Sequence, residues 1–260
     1  MSVDAYYLEL GAGRVRATDA TVGPWDPRLQ HGSPPVALLA RTIERSLPRD
    51  DARIARLTCD FAGPVPVGEL ALTASVERAG ARIERSRARL LAGERTVLEV
   101  SAWRIAVGPE RSPAVPWPGA VPRLPGPQAP QRFVDVAPFG YGDSLEWRFA
   151  EGSFSELGPA AVWTRPRLPL FAGEPLSALC RLLLMVDSAN GVSAELPPAR
   201  YVFVPVELTV SVARHPRTEW VGMRARTSLE PDGIGLTHAE LYDEEGPLGF
   251  AVQTLFVAPR

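Results

Sequence analysis

The chain repeats its own pattern. A few short strands, one apolar helix and four longer strands can be read before residue 108, and the same order returns after residue 133. In the first copy, His31-Gly32-Ser33-Pro34-Pro35 leads into an apolar-periodic helix over 36–47, with Ser33 as the expected N-cap. Strands are predicted over 53–62, 69–79, 82–92 and 96–107. In the second copy, Gly173-Glu174-Pro175 leads into a helix over 176–188, and strands are predicted over 201–213, 219–229, 234–243 and 248–258. Short strands precede each helix, at 5–10 and 14–20 and at 144–150 and 161–165. The alternation is clean: Val206, Leu208, Val210 and Val212 take one face, and Glu207, Thr209 and Ser211 the other. Gly32 corresponds to Gly173 and Pro34 to Pro175 by one offset. One helix followed by four antiparallel strands predicts a sheet wrapped around that helix, and two such units side by side predict one larger sheet.

Between the copies, Gly108–Pro130 holds eight prolines and no periodic pattern, which predicts an extended connector. The expected organisation is therefore residues 1–107 as the first unit, 108–133 as a proline-rich linker and 134–260 as the second.

Composition removes several function classes. Net charge is −2 over 260 residues, so no basic stripe marks a nucleic-acid or membrane-surface partner. All 28 basic residues are arginine, which excludes a Schiff-base lysine and a P-loop. Arg82, Arg85, Arg87 and Arg89 read most simply as a solvated strand face, with phosphate binding as the minority reading. Two cysteines, Cys59 and Cys180, make no disulfide framework. No secretory signal and no apolar run of membrane-spanning length is visible, so a cytoplasmic protein is expected. There is no CxxC, HExxH, GxGxxG or GxSxG. His215, His238 and Glu240 do not make a metal site, and no cofactor is expected.

Two polar residues interrupt apolar surfaces. Asp187 shares a helical stripe with Leu176, Cys180 and Leu183, and Gln253 shares a strand face with Ala251, Leu255 and Val257. Each has a plain structural explanation, as a helix-end carboxylate in water or an amide satisfying backbone. Together they suggest a carboxylate and an amide holding one water. By the repeat, Asp187 corresponds to Ser46 and Gln253 to Trp103, so one chemical site per chain is expected. His31 and Gly32, before a helix start, are candidates for binding an oxyanion, beside the plainer reading of a Gly-Ser cap with a surface histidine.

Trp25-Asp26-Pro27, His31-Gly32 with the following helix, Asp60–Leu90 and the closing Glu240–Arg260 resemble type II acyl-CoA thioesterases of the thioesterase-like superfamily. The resemblance implies an α+β double hotdog, in which each of two tandem units wraps an antiparallel sheet around a central helix. It also implies hydrolysis of acyl-CoA or a related acyl thioester by a directly activated water. That water is held by an aspartate at the end of the second helix, a hydroxyl on the next strand and a glutamine on the last strand. Asp187 and Gln253 match the first and third. The hydroxyl position falls near Pro205; Thr209 is the nearest hydroxyl on that strand, and Ser188 or Thr227 would serve only if the fold brings them close. Gly32 matches the first glycine of the helix-leading loop, Ser33 replaces the second, and Gly32 and Gly173 are the candidate backbone donors to the thioester oxyanion. The alternative is a non-catalytic acyl- or acyl-CoA-binding protein with a degenerate site. A hotdog hydratase is the weakest reading, because no histidine falls at a matching place. Association into homo-oligomers is left open by the sequence.

Overall fold

A computed structural model describes residues 4–109, 111–115, 117, 119–132 and 136–260. In the first unit the elements are β1 (Tyr7–Gly11), β2 (Arg14–Ala17), α1 (Ser33–Ser46), β3 (Ala52–Asp60), β4 (Glu69–Arg78), β5 (Ile83–Ala92) and β6 (Arg95–Ala106). The second holds α2 (Gly140–Asp143), β7 (Leu145–Glu151), β8 (Ala160–Pro166), α3 (Ala178–Val186), α4 (Ala189–Val192), β9 (Tyr201–Val212), β10 (Val221–Leu229), β11 (Ile234–Asp243) and β12 (Gly246–Pro259). The strands join in one antiparallel sheet, β1-β2-β4-β5-β6-β3-β9-β12-β11-β10-β8-β7. β3 pairs with β9 across the seam, from Arg56 opposite Ser211 to Asp60 opposite Glu207.

The sheet curls around two helices, and strands such as β5, β6 and β11 alternate buried with more exposed residues to give it one apolar face. α1 packs on β4, β5 and β6, α3 packs on β8 and β10, and the helices pack against each other. Their contacting faces, including Leu38, Leu39, Ile43, Leu182 and Leu183, are fully buried. This is the expected α+β double hotdog. The helices run antiparallel: the start of α1 meets the end of α3, while Arg41 in the second half of α1 bonds to Glu174, just before α3.

Two helix boundaries differ from expectation. Gly32, not Ser33, is the N-cap of α1, and Ser33 is its first helical residue. With Pro34 and Pro35 filling the first turn, the Ser33 side chain makes no capping bond and turns instead toward the Tyr141 hydroxyl, 3.3 Å away. α3 begins at Ala178 because the Ser177 hydroxyl accepts from the Cys180 N–H at 3.1 Å, a side-chain cap that leaves Leu176 outside the helix.

The arginines of β5 form a solvated lattice. Arg85 and Arg87 reach Glu77, and Arg87 and Arg89 reach Glu99, on the outer face. Such exposed pairs add little stability each. Among its described residues the proline-rich segment forms no helix or strand, yet it is not a free tether. Val121 and Leu124 pack on Trp163, Trp220 and Tyr242 outside the sheet. The Gln128 side chain exchanges two 2.8 Å hydrogen bonds with the Phe149 backbone, closing part of the edge strand β7. The expected boundary between residues 133 and 134 lies outside the described residues.

Candidate active site

The end of α3 carries a carboxylate into the core. Leu182 to Val186 are fully buried, and Asp187 follows them as the C-cap with only 4% of its surface exposed. Gln253 arrives from β12. It lies opposite Thr237 on β11 and Leu208 on β9, and all three side chains face the buried side of the sheet. Gln253 Nε2 donates to Asp187 Oδ1 at 3.0 Å and to the Asp187 carbonyl at 3.1 Å, while its Oε1 accepts from the Asn190 N–H at 3.1 Å. The donor to Oε1 fixes the amide orientation, and every polar atom of the amide is engaged. Gln253 therefore grips the carboxylate directly rather than through a water.

The other carboxylate oxygen faces the start of α1. The Gly32 N–H hydrogen-bonds to the Asp187 carboxylate. His31 Nδ1 lies 3.5 Å from Asp187 Oδ2 and accepts from the Ser33 N–H at 3.1 Å. An Nδ1 that accepts carries no proton, so the neutral ring holds its proton on Nε2. The ring stacks on Tyr141 of α2, with centroids 3.8 Å apart and planes 10° from parallel. The Tyr141 hydroxyl donates to the Leu184 carbonyl at 2.7 Å and lies 2.7 Å from Ser188 Oγ. Since the single phenolic proton is used on Leu184, Ser188 donates to Tyr141 and keeps its lone pairs free.

Burial sets the charges here. Desolvation raises the Asp187 pKa to about 7, against the opposing pull of its bonds from Gln253 and Gly32. Desolvation lowers the His31 pKa to about 3. At neutral pH the imidazole is uncharged, so its approach to Asp187 is not an ion pair, and the aspartate is poised between its two protonation states.

Donors at the α1 start are few. Gly32 N–H is turned onto Asp187 and Ser33 N–H onto His31; Pro34 and Pro35 have none; Val36 N–H closes on the Gly32 carbonyl at 3.1 Å. His31 Nε2–H remains, on the side of the ring away from Asp187. A cavity of about 70 Å³, lined in part by His31, Trp25, Tyr141, Trp147, Phe203 and Ser188, opens on this side. Its lining is mainly aromatic and apolar, with His31, Ser188, Asn190, Gln131, Arg132 and Asp143 as the polar side chains.

Two further expected residues are elsewhere. Thr209 points to the outer face of the sheet, where its hydroxyl lies 3.1 Å from that of Thr58 and donates to Glu207 at 3.1 Å. It is opposite Val252, the neighbour of Gln253, and so on the wrong side of the strand. Gly173 is exposed, beside Glu174, which Arg41 holds nine residues along α1 from Gly32. At 1.5 Å per residue that is about 13 Å away. Thr227 is tied to Ser193 and Thr237, each at 2.8 Å, in a separate hydroxyl chain. Pro205 offers no hydroxyl. The residues that sequence reasoning left out are Tyr141 and Asn190, neither of which stands in any periodic pattern; Ser188 needed only its adjacency to Asp187.

Comparison with known proteins gives one consistent family. Residues 21–105 match the model of the acyl-CoA thioesterase N-terminal domain, and residues 109–257 match that of the acyl-CoA thioesterase C-terminal domain. No curated protein is significantly similar in sequence. Among solved structures, a hot dog fold protein of unknown function from Alicyclobacillus acidocaldarius is 20% identical, with TM-score 0.73, covering 99% of this chain and 97% of its own. An acyl-CoA thioesterase II, TesB2, from Mycobacterium marinum is 17% identical with TM-score 0.64, covering 98% and 94%. The tesB protein of Mycobacterium avium subs paratuberculosis is 13% identical with TM-score 0.69, covering 97% and 96%. At these identities the structural likeness speaks for the fold.

Proposed function

The chain belongs to the acyl-CoA thioesterase family, and from that premise we propose that it hydrolyses an acyl-CoA thioester with Asp187 as the base that activates water. The observation that carries this is a buried carboxylate with a pKa raised to about 7, gripped on one side by Gln253 and facing His31 and Gly32 on the other. A carboxylate of ordinary acidity is a poor proton acceptor at neutral pH; one near 7 is well matched.

In the proposed reaction, water donates one hydrogen to Asp187 and the other to Ser188 Oγ, which leaves an oxygen lone pair for the thioester carbon. Asp187 takes the proton as the carbon–oxygen bond forms. His31 Nε2–H stabilises the oxyanion. Collapse breaks the carbon–sulfur bond, and the proton on Asp187 passes to the CoA thiolate. The products are the free acid and CoA, and the aspartate returns to its ionised form. Gln253 orients the carboxylate, and Ser188, from the end of the helix, takes the place of the hydroxyl that β9 lacks.

The test is release of free thiol from acyl-CoA esters of graded chain length. Binding of these esters without thiol release at any length supports instead a non-catalytic acyl-CoA-binding protein, a reading favoured by the absence of a hydroxyl at Pro205. Two expectations accompany the reaction. First, log(kcat/KM) rises with pH along a limb of unit slope that levels off near pH 7, because protonated Asp187 accepts nothing. His31 adds no limb above pH 5, since it is already neutral there. A flat profile from pH 5 to 9 contradicts Asp187 as base. Second, Ser188→Ala lowers kcat roughly tenfold through loss of one hydrogen bond, with little change in KM. Stopped kinetics on the best ester reads both constants, and an unchanged kcat removes Ser188 from the reaction.

A further inference from the structure

The face of the sheet that carries Gln253 continues outward to a pair of arginines. Beyond Gln253, the register of β12 on β9 sets Val257 opposite Phe203 and Pro259 opposite Tyr201. Phe203 packs edge-on against Trp25, with centroids 5.2 Å apart, and both line the cavity that His31 opens onto. The Arg260 guanidinium lies over the Trp25 ring, 5.2 Å from its centroid. The Arg260 N–H donates to the Arg200 carbonyl at 3.0 Å, and the Arg200 guanidinium lies 5.9 Å from the Tyr201 centroid. The two residues are therefore tethered to each other through the backbone, each with its guanidinium near an aromatic ring.

Most arginines of this chain are ion-paired, but among the described residues neither Arg200 nor Arg260 has a carboxylate partner. Asp26, next to Trp25 in sequence, is engaged by Arg28 through bonds of 2.7 to 3.3 Å. Both guanidiniums are exposed and so available to a ligand. Six residues of extended strand separate Gln253 from Pro259, about 20 Å at the usual rise. That is close to the reach of an extended pantetheine arm from its sulfur to its phosphates.

We infer that Arg200 and Arg260 form a phosphate-binding rim that receives the nucleotide end of the CoA thioester, making them specificity-determining residues for the thiol half of the substrate. The inference rests on the thioesterase reading for the placement of the thioester beside Asp187. Guanidinium groups bind phosphate through paired charge-assisted hydrogen bonds, and ring stacking preorganises them without consuming those donors. The arm then lies along Trp25 and Phe203, with the thioester at His31.

The experiment compares the wild type with the double variant Arg200→Gln/Arg260→Gln, using CoA and pantetheine as binding probes and their acyl esters as substrates. CoA binding by titration calorimetry weakens by roughly tenfold or more in the double variant, while pantetheine binding is unchanged. KM rises by a similar factor for the CoA ester only, and kcat stays the same for both esters. The Arg200→Lys/Arg260→Lys variant recovers part of the CoA affinity. Equal CoA affinity in wild type and double variant overturns the rim, whatever the turnover. Equal weakening of CoA and pantetheine also overturns it, since that is the mark of a structural change. Selective loss of CoA binding in a protein that hydrolyses neither ester upholds the rim and overturns the hydrolase reading instead.

Discussion

Asp187→Asn is expected to lower kcat by ~10²–10⁴-fold while leaving the fold intact, because the amide keeps the shape of the carboxyl but accepts no proton. The same substitution has a second signature in stability. The carboxyl pKa rises from 3.8 in the unfolded chain to about 7 in the folded one, with burial as the main cause. A raised carboxyl pKa means that the folded state holds its proton more tightly than the unfolded state does. Stability is therefore lost as pH climbs from about 4 to about 7, and the full cost, on the order of a few kcal/mol, is present above that. Asparagine carries no such cost. Its oxygen accepts from Gln253, but its NH₂ meets the Gly32 N–H donor, a constant penalty of about 1–3 kcal/mol. The difference in Tm between variant and wild type should thus move in favour of the variant as pH is raised from 4 to 8, by roughly 5–10 °C. Thermal melts at several pH values measure this alongside thiol release. A variant with wild-type kcat ends the case for Asp187 as base; a Tm difference that ignores pH ends the case for its shifted pKa.

The legibility of this molecule in its sequence follows from what kind of signal each residue leaves. Asp187 and Gln253 were readable because each is polar on an otherwise apolar stripe, and burying such a group without partners is costly. The structure supplies the partners, and they are each other. The strands were readable from alternation, and the doubled architecture from the repeat. The repeat also misled. Gly173 matches Gly32 by offset, yet α1 and α3 are antiparallel, so equivalent helix starts sit at opposite ends of the helix pair. Nearness to Pro205 along β9 points to Thr209, although the alternation of that strand puts it with Glu207 and Ser211 on the outer face. A bulge sharpens the point: Leu255 pairs with Pro205 and Thr254 with Glu207, which leaves exposed Val206 as the extra residue. Nearness in sequence is a poor guide where side chains change face at every step. Tyr141 was not readable at all. It lies after the proline-rich segment in a single helical turn, and only the folded chain brings it onto His31, Ser33 and Ser188.

Gly32→Ala should lower kcat/KM by about 100-fold, an effect out of proportion to one methyl group. The backbone there has φ −68° and ψ −26°, an ordinary helical conformation, so alanine is not strained at this position. As a better helix former than glycine it should even favour α1 slightly. The obstacle is space. A methyl group on Gly32 overlaps Asp187 Oδ2 and comes within 2.7 Å of a Phe61 ring carbon and 2.9 Å of Asp187 Cγ. Backbone on the α1 side leaves little room for retreat, so the end of the Asp187 side chain must shift, and with it the bonds from the Gly32 N–H and Gln253 Nε2. Displacing a catalytic group by even an ångström is enough for a loss of this size. The cause can be isolated with a double-mutant cycle. In the Asp187→Ala background the shortened side chain no longer meets the added methyl and the Phe61 contact remains, so adding Gly32→Ala should lower Tm by less than about half as much as it does when Asp187 is present. Equal Tm changes in both backgrounds would show that the methyl group acts through Phe61 or the helix start, and that the glycine is not there to let the carboxylate approach the backbone.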